Sequence, residues 1–187
     1  MKYKNITGKY PILITERLYL RPLTIQDAAD VFEYASDPEI TTYTVWYPHE
    51  KLQDSQMFIQ SILHQYEKEE MAAYGIELKK EKKIIGTCGF IEYDKNHHKA
   101  ELAYALSKNY WRQGFATEAA KAFIWYGFET LQLNHIEARC HASNVQSEQV
   151  MRRLGMQYER TLRKDMYVKG TYRDTKIYAI LREEYDI

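Results

Sequence analysis

Trp111-Arg112-Gln113-Gly114-Phe115-Ala116-Thr117-Glu118-Ala119-Ala120 is a small-residue turn that opens straight into a helix. A helix start leaves several backbone N–H groups without partners, and the helix dipole favours negative charge there. Such a turn can therefore hold a phosphate or pyrophosphate without a lysine. Downstream, Asn144-Val145-Gln146-Ser147 precedes Arg153-Leu154-Gly155-Met156, a second short helix closed by a glycine.

Working outward from these two segments, the periodicity gives the order β-α-α-β-β-β-α-β-α-β-β. Residues 17–23 read as the first strand, ended by Pro22. Thr24 caps a helix with Asp27 three positions on, and Ala28, Val31, Phe32 and Ala35 form its apolar stripe until Asp37-Pro38 stops it. An aromatic, irregular stretch carries Tyr43, Trp46 and Tyr47, and a second helix follows to about residue 70. Residues 72–78, 83–93 and 99–107 are strands, separated by the charged tip Lys79-Lys80-Glu81-Lys82-Lys83 and the polar turn Asp94-Lys95-Asn96-His97-His98. A helix spans 114–130, a strand 135–142, a helix 146–154, and two strands, 157–168 and 172–182, flank Lys169-Gly170. This is a mixed α+β domain of about seven strands and four helices, taken as one unit over 1–187.

Composition bounds the partners. Lys plus Arg and Asp plus Glu are 26 each, so no basic excess is available to follow a nucleic-acid backbone. The run at 79–83 reads as a solvated hairpin tip. No stretch reaches the roughly 18 apolar residues of a membrane span, and the N-terminus lacks the uninterrupted apolar core of a signal peptide. Cys88 and Cys140 sit in apolar strands and read as buried free thiols rather than as one bridge, which fits a reducing, cytoplasmic compartment. The 17 tyrosines are scattered and read as packing residues. A nucleotide switch is excluded by the absence of any Gly-x-x-x-x-Gly-Lys-Ser/Thr segment.

The turn, the downstream Asn144 segment and the element order together resemble the acetyl-CoA-binding core of the GNAT N-acetyltransferase superfamily, over nearly the whole chain from Leu13 to about Arg182. The family's pyrophosphate loop has the form Gln/Arg-x-x-Gly-x-Gly/Ala. Here Trp111 takes the first place, and Trp111 followed by Gly114, Ala116 and Ala-Thr-Glu-Ala looks like the ribosomal-protein N-terminal acetyltransferases and their small-molecule relatives. The resemblance implies a mostly antiparallel sheet whose central strands splay to hold acyl-CoA. It implies cofactor contacts from Tyr104 and Leu106 on the strand, from Arg112, Gln113, Gly114, Phe115, Ala116 and Thr117 on the loop, and from Asn144. Asn144 also reads as a helix cap, and Arg112 as a solvated residue.

Transfer to an amine needs a neutral nucleophile, a polarised thioester and a proton for the leaving thiolate. At pH 7 roughly one α-amino group in ten is neutral, against about one lysine in 2,500. Glu101, on the cofactor strand, is the candidate base, with a surface carboxylate as the alternative reading. Many family members carry a tyrosine acid seven residues after the motif asparagine; here that position is Met151, which has no proton to give. Ser147 matches the serine proposed for thiolate protonation in the ribosomal-protein branch, with Tyr104 a weaker substitute and His141 a candidate relay. Trp46, Tyr47 and Tyr172 are candidate walls for the acceptor. The implied reaction is direct transfer from acetyl-CoA to a primary amine, either a protein N-terminus (ribosomal or other) or a small molecule such as a polyamine or antibiotic. A non-catalytic acyl-CoA sensor is the reading from another class. No metal site is expected, and dimerisation is common among the resembled proteins.

Overall fold

Alternating apolar runs become nine strands, and the 3.6-period runs become five α-helices, among residues 4–6 and 10–185, the part of the chain described by the computed structural model. In chain order these are β1 (Lys4–Ile6), β2 (Ile12–Ile14), β3 (Leu18–Arg21), α1 (Ala28–Ala35), α2 (Pro38–Thr41), α3 (Leu52–Glu67), β4 (Tyr74–Leu78), β5 (Lys83–Asp94), β6 (Lys99–Leu106), α4 (Phe115–Glu129), β7 (His135–His141), α5 (Val145–Arg153), β8 (Gln157–Val168) and β9 (Thr171–Leu181). One sheet joins the strands in the order β1-β2-β3-β4-β5-β6-β7-β9-β8, antiparallel throughout except between β6 and β7. The α+β class stands as expected, with two short strands and one helix more than the sequence suggested. The added helix is α2. Pro38 not only stops α1 but occupies the first position of a new turn, where its missing N–H costs nothing, and Asp37 Oδ1 accepts the Glu39 N–H at 2.8 Å.

The helices cover both faces of the sheet, so β5 is buried along most of its length. On one face lies α4: Phe123 meets Phe90 edge-on at 5.7 Å and Tyr74 at 5.4 Å. On the other lies α1, which caps the end of β5 through Asp30 Oδ2 accepting the Ile84 N–H at 2.9 Å, and packs in turn against α3. Cys88 and Cys140 are buried free thiols. Among the described residues no helix is long and apolar enough to cross a membrane.

The parallel pair decides where a site can form. β6 and β7 are in register only over Lys99↔His135, Ala100↔Ile136 and Glu101↔Glu137. Beyond Glu101 the two strands diverge, because β6 follows its antiparallel partner β5 up to Gly86↔Leu106 while β7 follows β9 up to His141↔Thr175. Their facing edges, Leu102–Leu106 of β6 and Ala138–His141 of β7, are left without a ladder partner in each other. A fork in the middle of a covered sheet is the result.

Candidate active site

Alternation along β6 and β7 sorts the side chains at the fork onto two faces. Leu102, Tyr104, Ala138 and Cys140 share the α4–α5 face; Glu101, Ala103, Glu137, Arg139 and His141 share the α1 face. The backbone is sorted as well. Ser107 N–H donates to Ile85 O at 2.8 Å, so the antiparallel alternation turns the amides of Leu106 and Tyr104 away from β5 and into the fork.

At the fork's open end stands the turn before α4. Gly114 has φ 83°, a conformation open to glycine at little cost, and Arg112 also lies in the left-handed region at φ 60°. The first helical bond is Glu118 N–H to Gly114 O at 2.9 Å. Among the described residues, no protein acceptor takes the N–H of Arg112, Gln113, Gly114, Phe115, Ala116 or Thr117. These six consecutive donors at a helix N-terminus form a concavity suited to an anion with several oxygens. The loop side chains do other work: Phe115 is buried, Gln113 Nε2 donates to Asn109 O at 3.0 Å, and Trp111 Nε1 donates to Leu106 O at 2.7 Å. The indole thus ties the loop to the end of β6, a bond that the Trp111 departure from the family pattern gave no means of foreseeing.

Across the fork, Asn144 caps α5, its Oδ1 accepting the Ser147 N–H at 3.0 Å. Ser147 Oγ lies 3.0 Å from Tyr104 Oη, which is also 3.2 Å from Ser147 O. Burial pushes the Tyr104 phenol well above its ordinary value, so it keeps its proton and can donate to Ser147. Glu148 fixes α5 to β9 by accepting from Lys176 Nζ at 2.6 Å and Tyr178 Oη at 2.8 Å, and it also accepts from Arg152 Nη2 of its own helix at 2.8 Å. Met151 is fully buried in the core.

On the other face, Glu101 stands where the strands part, with its side chain 12% exposed. Burial raises its carboxyl to about 7, with Glu92 and Glu137 adding to the rise and Arg139, 3.1 Å away, opposing it. Glu92, Glu101 and Glu137 are aligned across three strands by the register. His141 Nδ1 accepts the Ser143 N–H at 3.0 Å, so the neutral ring carries its proton on Nε2 and offers no free base. Its ring lies 5.3 Å from that of Tyr43. The connection after α2 and the β8–β9 hairpin close over this face: Arg173 Nη1 donates to Thr42 O at 3.2 Å and Lys169 Nζ lies 5.3 Å from the Tyr47 ring centre. Trp46 is partly buried against the core. Tyr172 is placed elsewhere; it follows the alternation of β9 onto the face of Lys176 and Tyr178 and pairs with Tyr167 at 5.0 Å in the exposed hairpin.

A family model described as the acetyltransferase (GNAT) domain matches residues 17–157. The chain belongs to the GNAT acetyltransferase family. It is 36% identical over 173 residues to the uncharacterized N-acetyltransferase YoaA of Bacillus subtilis, covering 92% of this chain and 98% of that one. It is 27% identical over 167 residues to the spermidine N(1)-acetyltransferase of Escherichia coli, covering 89% and 87%. Among solved structures, a GNAT-family acetyltransferase from Bacillus anthracis superposes with a TM-score of 0.83 at 28% identity, over 92% of this chain and 99% of that one.

This GNAT protein is therefore an N-acetyltransferase that uses acetyl-CoA. Its residues fit that cosubstrate: the unused loop amides suit a diphosphate, and the inward amides of Tyr104 and Leu106 can pair with an extended amide-bearing arm. Acetyl-CoA supplies the acetyl group as an activated thioester. If the Tyr104–Ser147 pair serves the departing sulfur, Ser147→Ala slows transfer about tenfold while acetyl-CoA affinity and the melting temperature stay near wild type. Stopped-flow turnover beside calorimetric titration checks this; full activity would leave Ser147 a helix residue only.

Proposed function

We propose that this GNAT enzyme acetylates the α-amino group of a protein or peptide N-terminus, by direct attack and without a covalent enzyme intermediate. The observation that carries the reading is Glu101 at the fork, with its carboxyl raised to about 7. An α-ammonium has a pKa of about 7.7–8.0, so Glu101 takes its proton, directly or through one water, at little cost; a lysine-like amine near 10.4 lies more than about three units uphill. In this reading the amine enters from the α1 face. The Leu106 N–H meets the carbonyl oxygen as negative charge develops on it. On the opposite face the Ser147–Tyr104 hydroxyls give a proton to the departing thiolate and are reprotonated from solvent, while Glu101 releases the amine's proton to solvent. Base and acid are thus separated by the sheet itself, one on each side of the fork. Trp46 and Tyr47 wall the acceptor, and the buried thiols fit work in the reducing cytoplasm.

A second reading, a polyamine acceptor, is supported by the aligned carboxylates of Glu92, Glu101 and Glu137, which Arg139 only partly offsets, and by the similarity to a spermidine acetyltransferase. Acetyl-CoA turnover against a mixed acceptor panel separates the two, with products identified by mass spectrometry. Peptides beginning Ala, Ser or Met should exceed spermidine, aminoglycosides and free amino acids at least tenfold in kcat/KM. A preference for spermidine overturns the first reading in favour of the second. Silence across the panel with acetyl-CoA still bound overturns both readings and places the acceptor outside these amine classes.

A further inference from the structure

The turn before α4 has an unusual problem. Among the described residues six of its amides find no acceptor, and two of its residues, Arg112 and Gly114, sit at positive φ, while the Trp111 indole and the Gln113 side chain brace it locally through Leu106 O and Asn109 O. A further restraint comes from far away in sequence. Arg17, between β2 and β3, donates from Nη1 to Gln113 O at 3.0 Å and lays its guanidinium 4.1 Å from the centre of the Phe115 ring. Its Nη2 lies 3.4 Å from where a side chain on Gly114 would begin. Its Nε donates to Glu118 Oε2 at 2.7 Å, while Glu118 Oε1 accepts the Arg17 N–H at 2.9 Å and the Thr15 hydroxyl at 2.6 Å.

We infer that Arg17 is a positioning residue for acetyl-CoA: paired with Glu118, it holds the loop 112–114 in its anion-receiving shape and cancels a carboxylate that would otherwise repel the diphosphate. Two separate physical effects meet in this one side chain. The first is geometric. A guanidinium has donors fixed in a plane, so Nε on Glu118 and Nη1 on Gln113 O lock the loop carbonyl and the first turn of α4 into one relation. The second is electrostatic. Glu118 lies in the first turn of α4, where the same helix dipole that an incoming phosphate needs already favours a carboxylate. Burial alone would push its carboxyl up, but the bonds from Thr15, the Arg17 amide and the Arg17 guanidinium outweigh that and hold it below its ordinary value. Glu118 is therefore ionised at neutral pH, and Arg17 is the cation set against it. Arg17 does not touch the fork or the reacting atoms.

The inference rests on the reading that the loop receives the diphosphate, so the experiment carries a control for that reading. Acetyl-CoA Kd by calorimetry, steady-state KM and kcat, and melting temperature are measured for wild type, Arg17→Met, Arg17→Lys, Glu118→Gln, the double variant Arg17→Met/Glu118→Gln, and Gly114→Glu. Arg17→Met should raise Kd and KM for acetyl-CoA about 10- to 30-fold with kcat at saturation within threefold of wild type. Arg17→Lys, which keeps the charge and loses the planar fork, should fall between the two. Removing the Glu118 charge from the Arg17→Met protein should recover several-fold of the lost affinity, something a simple loss of packing would not do. A wild-type Kd in Arg17→Met, beside a weakened Gly114→Glu, overturns the positioning role while leaving the loop assignment standing. Equal falls in kcat and affinity that track a lowered melting temperature across both Arg17 variants also overturn it, in favour of a structural role. A wild-type Kd in Gly114→Glu overturns the loop assignment and this inference together.

Discussion

Gly114→Glu is expected to weaken acetyl-CoA binding by more than a hundredfold. Gly114 has φ 83°, which costs a side-chain-bearing residue about 1–2 kcal/mol in strain before any ligand is considered. Space is not the obstacle, since among the described residues an added Cβ would meet Arg17 Nη2 alone, at 3.4 Å. The larger effect is electrostatic: the variant sets a carboxylate among amides whose ligand is itself anionic, and it can accept those N–H groups in the ligand's place. Gly114→Asn separates the contributions, because asparagine tolerates the left-handed region and brings no charge; it should lose about tenfold or less. Calorimetric titration with acetyl-CoA reads both, and an unchanged Kd in Gly114→Glu removes the loop from the cosubstrate site.

Glu101→Gln is expected to lower kcat by about a hundredfold while leaving acetyl-CoA affinity within twofold, the usual scale for loss of a general base. In the wild type the rate should climb with pH through about 7 as Glu101 gives up its proton, and that limb should be missing from the variant. Stability moves in a way that can be worked out in advance. The folded carboxyl lies near 7 against an ordinary 4.5, so the native state prefers the protonated form. The wild type accordingly loses stability as pH rises from about 4.5 to about 7, whereas the glutamine variant lacks that loss. Melting curves of the two proteins should diverge across that window, with the wild type falling relative to the variant. A parallel pair of curves, or an unaltered pH–rate limb, would remove Glu101 as the base.

Much of this was written in short stretches of sequence. The α4 and β6 boundaries fall within one residue of where the apolar period places them, and Gly114 and Gly155 both take positive φ, as a turn before one helix and a cap after another require. Asn144 caps α5 and Thr24 opens the box with Asp27 at 2.8 Å, because these bonds span only a few residues and need no tertiary knowledge. What stayed hidden depends on partners distant in the chain. The Arg17–Glu118 and Tyr104–Ser147 contacts join residues 101 and 43 positions apart, and no local pattern marks them. Glu101 is visible in the sequence as a carboxylate on β6, but its shift follows from burial and from Glu92, Glu137 and Arg139 on neighbouring strands. Tyr172 is the opposite case: the alternation of β9 turns it to the face of Lys176, away from Trp46 and Tyr47.

The central claim is that the fork between β6 and β7, together with the unused amides before α4, holds acetyl-CoA. Backbone amide resonances recorded during titration with coenzyme A test it most directly. The account predicts that the largest shifts fall on Tyr104, Leu106, residues 112–117 and Ser147, with β1 to β3 little changed away from Arg17. Saturable binding whose shifts spare both the loop and the fork would contradict it.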